Sequence, residues 1–145
     1  VTGSPPATLA EFTLLAAGGP DNYDISLVDG FNVPVGISTS KPCPAPSCAV
    51  DLNAECPAVL RVEGGCLSKC QVDARAGHPD NNPNCCSGTY GTPEMCPASG
   101  VEYYDYFKSR CKDAYAYAYD EGSQSALWTC SQDGGFADYT VTFCP

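Results

Sequence analysis

The runs Pro6-Ala7-Thr8-Leu9-Ala10-Glu11-Phe12 and Asn22-Tyr23-Asp24-Ile25-Ser26-Leu27-Val28-Asp29-Gly30-Phe31-Asn32-Val33-Pro34 decide how the chain is read. In the first, Phe12 and Leu14 share one face by alternation, while Leu9, Glu11 and Thr13 share the other. In the second, Ile25 and Leu27 point one way, Asp24 and Ser26 the other. Gly30, Asn32 and Pro34 end this second strand. A hairpin closed around Gly18-Gly19-Pro20 brings Glu11 and Asp24 onto the same, less apolar face, with Asp21 in the loop between. Two carboxylates on one exposed sheet face are what acid–base chemistry on a glycosidic bond requires. The plain alternative is a pair of solvated surface acids, since structural networks pair acids too.

Composition narrows the field. The 145 residues suffice for one domain of ordinary size, or one with a satellite, and 43% hydrophobic against 17% charged residues is a globular balance. No apolar run reaches the roughly 20 residues of a membrane span. Val1-Thr2-Gly3-Ser4-Pro5-Pro6 has neither the basic nor the apolar part of a leader, so either a leader has been removed or the chain begins inside something larger. A formal charge of −10 disfavours nucleic acid and anionic membrane surfaces, and leaves a neutral polysaccharide unpenalised.

Eleven cysteines point to disulfides and hence an oxidising, extracellular setting. With one histidine and no paired Cys-x-x-Cys spacing, neither a metal nor a cofactor is expected. The odd count leaves at least one cysteine free or bonded elsewhere. Cys85 and Cys86, being adjacent, each close a separate loop. His78, the sole histidine, lies in a Pro/Asn loop and reads as solvated.

Along the chain, residues 35–47 read as a turn-rich linker leaving the sheet, with Pro42, Pro44 and Pro46 around Cys43. From Cys48 to Cys111 the cysteines concentrate and strands thin out, which predicts a lobe shaped by cross-links. Two short helices are predicted there. One runs over Leu67–Arg75 and stops at Gly77. The other follows a Ser99–Glu102 capping box, with Tyr103, Tyr106, Phe107 and Arg110 at helical spacing. Beyond Cys111, Ala114–Tyr119 alternates small and aromatic, placing Tyr115, Tyr117 and Tyr119 on one strand face, as core or as a sugar-stacking stripe. Ser125–Cys130 and Tyr139–Phe143 read as strands with Asp133-Gly134-Gly135 turning between them. The expected organisation is a β domain of residues 1–47 and 111–145 around a disulfide-rich lobe, 48–110, with a ligand groove between the two. Asp120, at the end of the Tyr-rich run, is a further candidate acid.

Gly-Ser-Pro-Pro-Ala-Thr-Leu-Ala-Glu-Phe, Tyr-Asp-Ile-Ser-Leu-Val-Asp-Gly-Phe-Asn-Val-Pro, Cys-Cys-Ser-Gly-Thr-Tyr-Gly and Val-Thr-Phe-Cys-Pro together resemble the thaumatin-like proteins, pathogenesis-related family five. The resemblance spans the chain but covers the later part of the family pattern, without its N-terminal strands. It implies a mainly β fold, a flattened antiparallel sandwich beside a disulfide-rich lobe, with an acidic cleft between them. It also implies the bonds Cys43–Cys130, Cys48–Cys111, Cys56–Cys66, Cys70–Cys85 and Cys86–Cys96. Cys144 is left for a cysteine near the absent N-terminus, the natural molecule being longer or nicked and tethered there. The implied cleft residues are Glu11 as proton donor with a raised pKa, Asp24 as the group activating water or stabilising the oxocarbenium-like transition state, and Asp21 and Asp120 as holders of sugar hydroxyls. The family's cleft Arg belongs to the absent segment. The implied activity is weak endo-hydrolysis of β-1,3-glucan by a secreted defence protein. The alternative is a non-catalytic glucan-binding or antifungal protein.

Overall fold

The computed structural model describes residues 3–15 and 19–145. Two antiparallel three-stranded sheets carry the fold. In the first, β1 (Leu9–Thr13) and β7 (Trp128–Cys130) flank β2 (Asp21–Ser26). In the second, β4 (Ser47–Cys48) and β8 (Tyr139–Phe143) flank β3 (Val35–Thr39). The sheets face each other through aromatic rings. Phe12 and Tyr23 from the first each lie 5.2 Å, centroid to centroid, from Tyr139 of the second. Tyr23, Ile25, Val35 and Ile37 are fully or almost fully buried between them. At about 25 cal/mol per Å² of apolar surface, such burial stabilises the fold by about 1.5–3 kcal/mol for each large side chain.

β1 and β2 pair as the alternation predicts, with Glu11 opposite Asp24 and Phe12 opposite Tyr23. Of the expected closing turn, Gly18 lies outside the described residues. β2 ends earlier than expected, at Ser26. The chain then turns at Gly30, whose φ of +92° suits glycine.

Residues 35–47 are not a linker. Val35–Thr39 is the central strand of the second sheet, with Val35 and Ile37 buried on one face. Its apolar alternation is only two residues deep before the Ser/Thr and Pro run begins, too short to stand out from a loop. The strands β7 and β8, read as neighbours across a turn, belong to different sheets. Between them Lys41 Nζ donates to the carbonyls of Ser131, Asp133 and Gly135, holding the connection against the second sheet.

Ala114–Tyr119 is not a strand either. It makes one parallel bridge, Tyr115 to Ser26, with Leu27 N donating to Tyr115 O and Tyr115 N to Ile25 O, each at 2.8 Å. The next amide, Ala116 N, donates to the Asp120 carboxylate, and no further bridge to β2 follows. The buried side chains here are Ala114, Ala116 and Tyr117, so the tyrosines share no face.

The cysteine-rich segment carries a two-stranded ribbon of β5 (Arg61–Val62) and β6 (Gly65–Cys66), and the helices α1 (Lys69–Arg75) and α2 (Tyr104–Arg110). Ser68 caps α1 by accepting from Gln71 N. No capping box starts α2. Ser99 lies in a 3₁₀ turn, Tyr103 takes a left-handed φ of 63°, and Glu102 instead accepts from Asn84 and pairs with Lys69. Asn84 Oδ1 takes the Glu102 N–H, so the turn is set by a distant side chain rather than by its own sequence.

Five disulfides form, Cys43–Cys130, Cys48–Cys111, Cys56–Cys66, Cys70–Cys85 and Cys86–Cys96, as the resemblance implies. Cys144 is an exposed free thiol. Leu52, Cys56, Leu60 and Phe107 from the cysteine-rich segment join Tyr23, Ile25 and Val35 in one continuous core. Among the described residues no helix is long and apolar enough to cross a membrane.

Candidate functional site

A groove of about 440 Å³ runs along the outer face of the first sheet. Its floor is Leu9 and Glu11 of β1 with Asp24 and Ser26 of β2. Val28 and Asp29 close one end, and Tyr115, Ala118, Glu121 and Leu127 form the wall. The volume is in the range that takes small ligands. The groove was expected between the β domain and the lobe, yet every lining residue comes from 9–29 and 115–127. The cysteine-rich segment reaches it through Gln71 of α1, whose Nε2 donates to Asp29 Oδ1 at 2.7 Å.

Strand pairing sets the floor. Directly opposed residues in an antiparallel ladder hold their Cβ atoms about 4.5–5.5 Å apart, which sets the carboxyls of Glu11 and Asp24 side by side on the groove floor. Glu11 is exposed at the rim, while Asp24 is 8% exposed. Burial, then the adjacent Glu11 carboxyl, then the charge of Glu121 push Asp24 up to about 7. Asp24 Oδ1 is buried and accepts no hydrogen bond. Tyr115 is half-buried, with Oη donating to Ala118 O at 3.3 Å, and burial together with the nearby Glu121 charge holds its phenol above the ordinary value.

Asp21 and Asp120 are elsewhere. Alternation along β2 turns Asp21 to the inner face with Tyr23. It is 2% exposed and accepts from Tyr139 Oη at 2.8 Å, Gln132 Nε2 at 2.6 Å and Leu15 N at 3.2 Å. The Tyr139 hydrogen bond, with those of Gln132 and Leu15 and the charge of Lys41, holds its carboxyl below the usual range in spite of burial. Asp120, 1% exposed, accepts from Tyr104 Oη, Ala116 N and Lys108 Nζ. Neither lines the groove. His78 is exposed in its loop.

Three lining residues, Asp29, Tyr115 and Glu121, were not singled out from sequence as a set. Tyr115 was read only as part of a strand stripe. Nothing in Asp120-Glu121 tells which of two adjacent acids turns inward. Among the described residues no cluster of three or more His, Cys, Asp or Glu is disposed to hold a metal ion.

These features define a mainly β, disulfide-locked protein with a carboxylate-lined groove on one sheet. The chain belongs to the thaumatin family, whose family model matches residues 1–145. It is 45% identical over its whole length to pathogenesis-related thaumatin-like protein 3.7 of Cryptomeria japonica, covering 57% of that protein. It is 43% identical to thaumatin-like protein 1 of Pyrus pyrifolia over 98% of the chain and 57% of the relative. A glucan endo-1,3-beta-glucosidase of Prunus avium is 41% identical over 97% of the chain and 56% of the relative. The chain thus spans a little over half the length of these relatives.

Proposed function

We propose that residues 1–145 carry the carboxylate pair of a secreted defence protein that takes β-1,3-glucan into this groove and hydrolyses it weakly at internal linkages. The observation that carries the reading is the Glu11–Asp24 pair, opposed across one ladder in a groove of ligand size. Glycoside hydrolysis needs one carboxyl that keeps its proton and one that has lost it. Burial beside the Glu11 charge suits Asp24 to keep the proton, making it the donor to the leaving oxygen. Glu11, exposed at the rim, is the base or nucleophile. This reverses the roles implied by the resemblance. Ser26 on the floor and Asp29 at the closed end take sugar hydroxyls. The name of the Prunus avium relative, a glucan endo-1,3-beta-glucosidase, supports the substrate class. The five disulfides support an extracellular location, where such bonds persist. In the same reading, Cys144 bonds a cysteine outside residues 1–145.

One observation favours a second reading, a glucan-binding antifungal protein without turnover. Asp24 is only 8% exposed and its Oδ1 is buried, so its carboxyl offers little access to a glycosidic oxygen. Hydrolysis therefore requires the sugar to reach this buried group.

Reducing-sugar release from a linear β-1,3-glucan, measured on the intact protein and its Glu11→Gln and Asp24→Asn variants, separates the readings. Catalysis by the pair predicts a loss of about 100-fold or more in each variant. Activity surviving both substitutions overturns the assignment, and glucan pull-down without turnover selects the binder.

A further inference from the structure

β2 is the middle strand of the first sheet, so Asp24 has a neighbour on each side. On one side Glu11 of β1 stands opposite it. On the other, the pairing of β2 with β7 runs from Asp21–Cys130 to Tyr23–Trp128. Continued by one residue, that register places Leu127 beside Asp24. Alternation agrees. Ala126 is fully buried and Trp128 is paired with the inward Tyr23, so Leu127 between them turns to the outer face, where it lines the groove. The row across the sheet is therefore Glu11, Asp24, Leu127. Asp24 has a carboxyl on one side and an aliphatic side chain on the other.

Burial along this row is uneven. Glu11 is exposed and Leu127 is 43% exposed, yet Asp24 between them is almost wholly covered, with Oδ1 lacking any donor. A leucine gives a carboxyl no hydrogen bond and displaces the water that would supply one, which disfavours the charged form. We infer that Leu127 is a positioning residue for the carboxylate pair: it covers the Asp24 side of the row against water, and so decides which of the two acids keeps the proton. This rests on the reading of Asp24 as the proton donor. Leu127 acts through Asp24, and its part is to keep the two acids unlike. A polar side chain at the same place would admit water or donate to Asp24, and the difference between the acids would shrink.

The test is the titration of the Asp24 side-chain carboxyl, followed by NMR in the intact protein. The titratable groups that share the groove with it are Glu11 on β1, Asp29 at the closed end, and Tyr115 and Glu121 on the wall. None of them is altered. Leu127→Ala and Leu127→Asn are expected to lower the Asp24 midpoint by about one unit, a tenfold loss of proton affinity. Leu127→Ile keeps the cover and is expected to keep the midpoint. Leu9→Ala removes the groove's other leucine, which stands one row away opposite Ser26, and is expected to move the midpoint less. On a linear β-1,3-glucan, the descending limb of kcat against pH is expected to move to lower pH in Leu127→Ala by the same amount as the midpoint. An unchanged midpoint in folded Leu127→Ala and Leu127→Asn overturns the inference. An equal shift in Leu9→Ala overturns it too, since the cover would then belong to the groove at large. If the wild type releases no sugar while the midpoint moves as expected, the donor reading fails and the control of Asp24 by Leu127 stands.

Discussion

Asp21 on β2 accepts the phenol of Tyr139 on β8 at 2.8 Å, a polar bond between the two sheets beside the stacked rings of Phe12, Tyr23 and Tyr139. Its carboxyl is held below the ordinary range chiefly by that phenol. A lowered folded pKa stabilises the fold above the unfolded value of about 4, and this is lost as pH falls through the folded value. Tyr139→Phe is therefore expected to lower the thermal midpoint by about 2–4 °C at pH 7 and by less near pH 2. Melts at the two pH values check this, and an equal loss at both would exclude the charge-assisted bond as the cause.

Asp24 gives a dependence of the opposite sign. Its pKa is raised by burial and by Glu11, to about 7 from an ordinary 3.8. Between those values the unfolded chain releases a proton that the folded chain keeps, so stability falls as pH rises from about 4 to about 7 and then levels. Urea unfolding across that range, with disulfides intact, is expected to show the slope in wild type and a flatter one in Asp24→Asn. The variant is the more stable protein at pH 7 and the less active one. A slope unchanged by the substitution would remove Asp24 as its source.

Gly30 separates the first sheet from β6 with no room for a side chain. At φ +92° a Cβ would stand 2.4 Å from Cys66 O and 2.9 Å from Leu67 Cα. Gly30→Ala adds a left-handed strain to a backbone clash, and a loss of about 2 kcal/mol or more is expected. Asp29, which closes the groove, is its neighbour, so glucan affinity is expected to fall as well. Denaturation midpoints and a binding isotherm measure the two effects. A neutral substitution would mean that the ribbon yields.

Cys70–Cys85 closes a loop of 15 residues around the polar network of Lys69, Asp73, Asn82 and Asn84. On chain entropy such a link contributes about 3 kcal/mol. The Cys70→Ser/Cys85→Ser double variant is expected to lose roughly that much. Amide exchange is expected to accelerate in α1 and residues 82–84 while β2 stays protected. Uniform acceleration in both regions would show that the segment and the sheets unfold as one unit.

Much of the fold was legible because it depends on short-range pattern. Alternation over residues 9–13 and 21–26 sufficed to put Glu11 on a face with Leu9 and Asp24 on a face with Ser26. The first helix falls within two residues of its predicted span because Gly77 is a local stop signal; the second covers the Tyr106–Phe107 spacing but starts at Tyr104, past the predicted Ser99 cap. The disulfide pattern was legible through resemblance, not geometry. Failures came where local signal was weak or was overruled. Val35–Thr39 has too little alternation to separate it from a loop, and burial against Tyr23 makes it a central strand. Ala114–Tyr119 has perfect alternation, yet only Tyr115 bridges to β2, and packing buries Ala114, Ala116 and Tyr117 rather than one alternating face.

The sequence by itself determined which residues share a face within each strand, Glu11 with Leu9 and Asp24 with Ser26, because side chains alternate with a period of two; the register that sets Glu11 opposite Asp24 came with the pairing. Only the tertiary structure decided which of the other acids join them. Asp21 meets Tyr139 and Gln132 and turns inward, while Asp120 meets Lys108 and Tyr104 and is buried. Asp29 and Glu121 are left to line the groove. The physical reason is that a carboxylate stays inside where buried donors saturate it, and those donors come from residues distant in the chain.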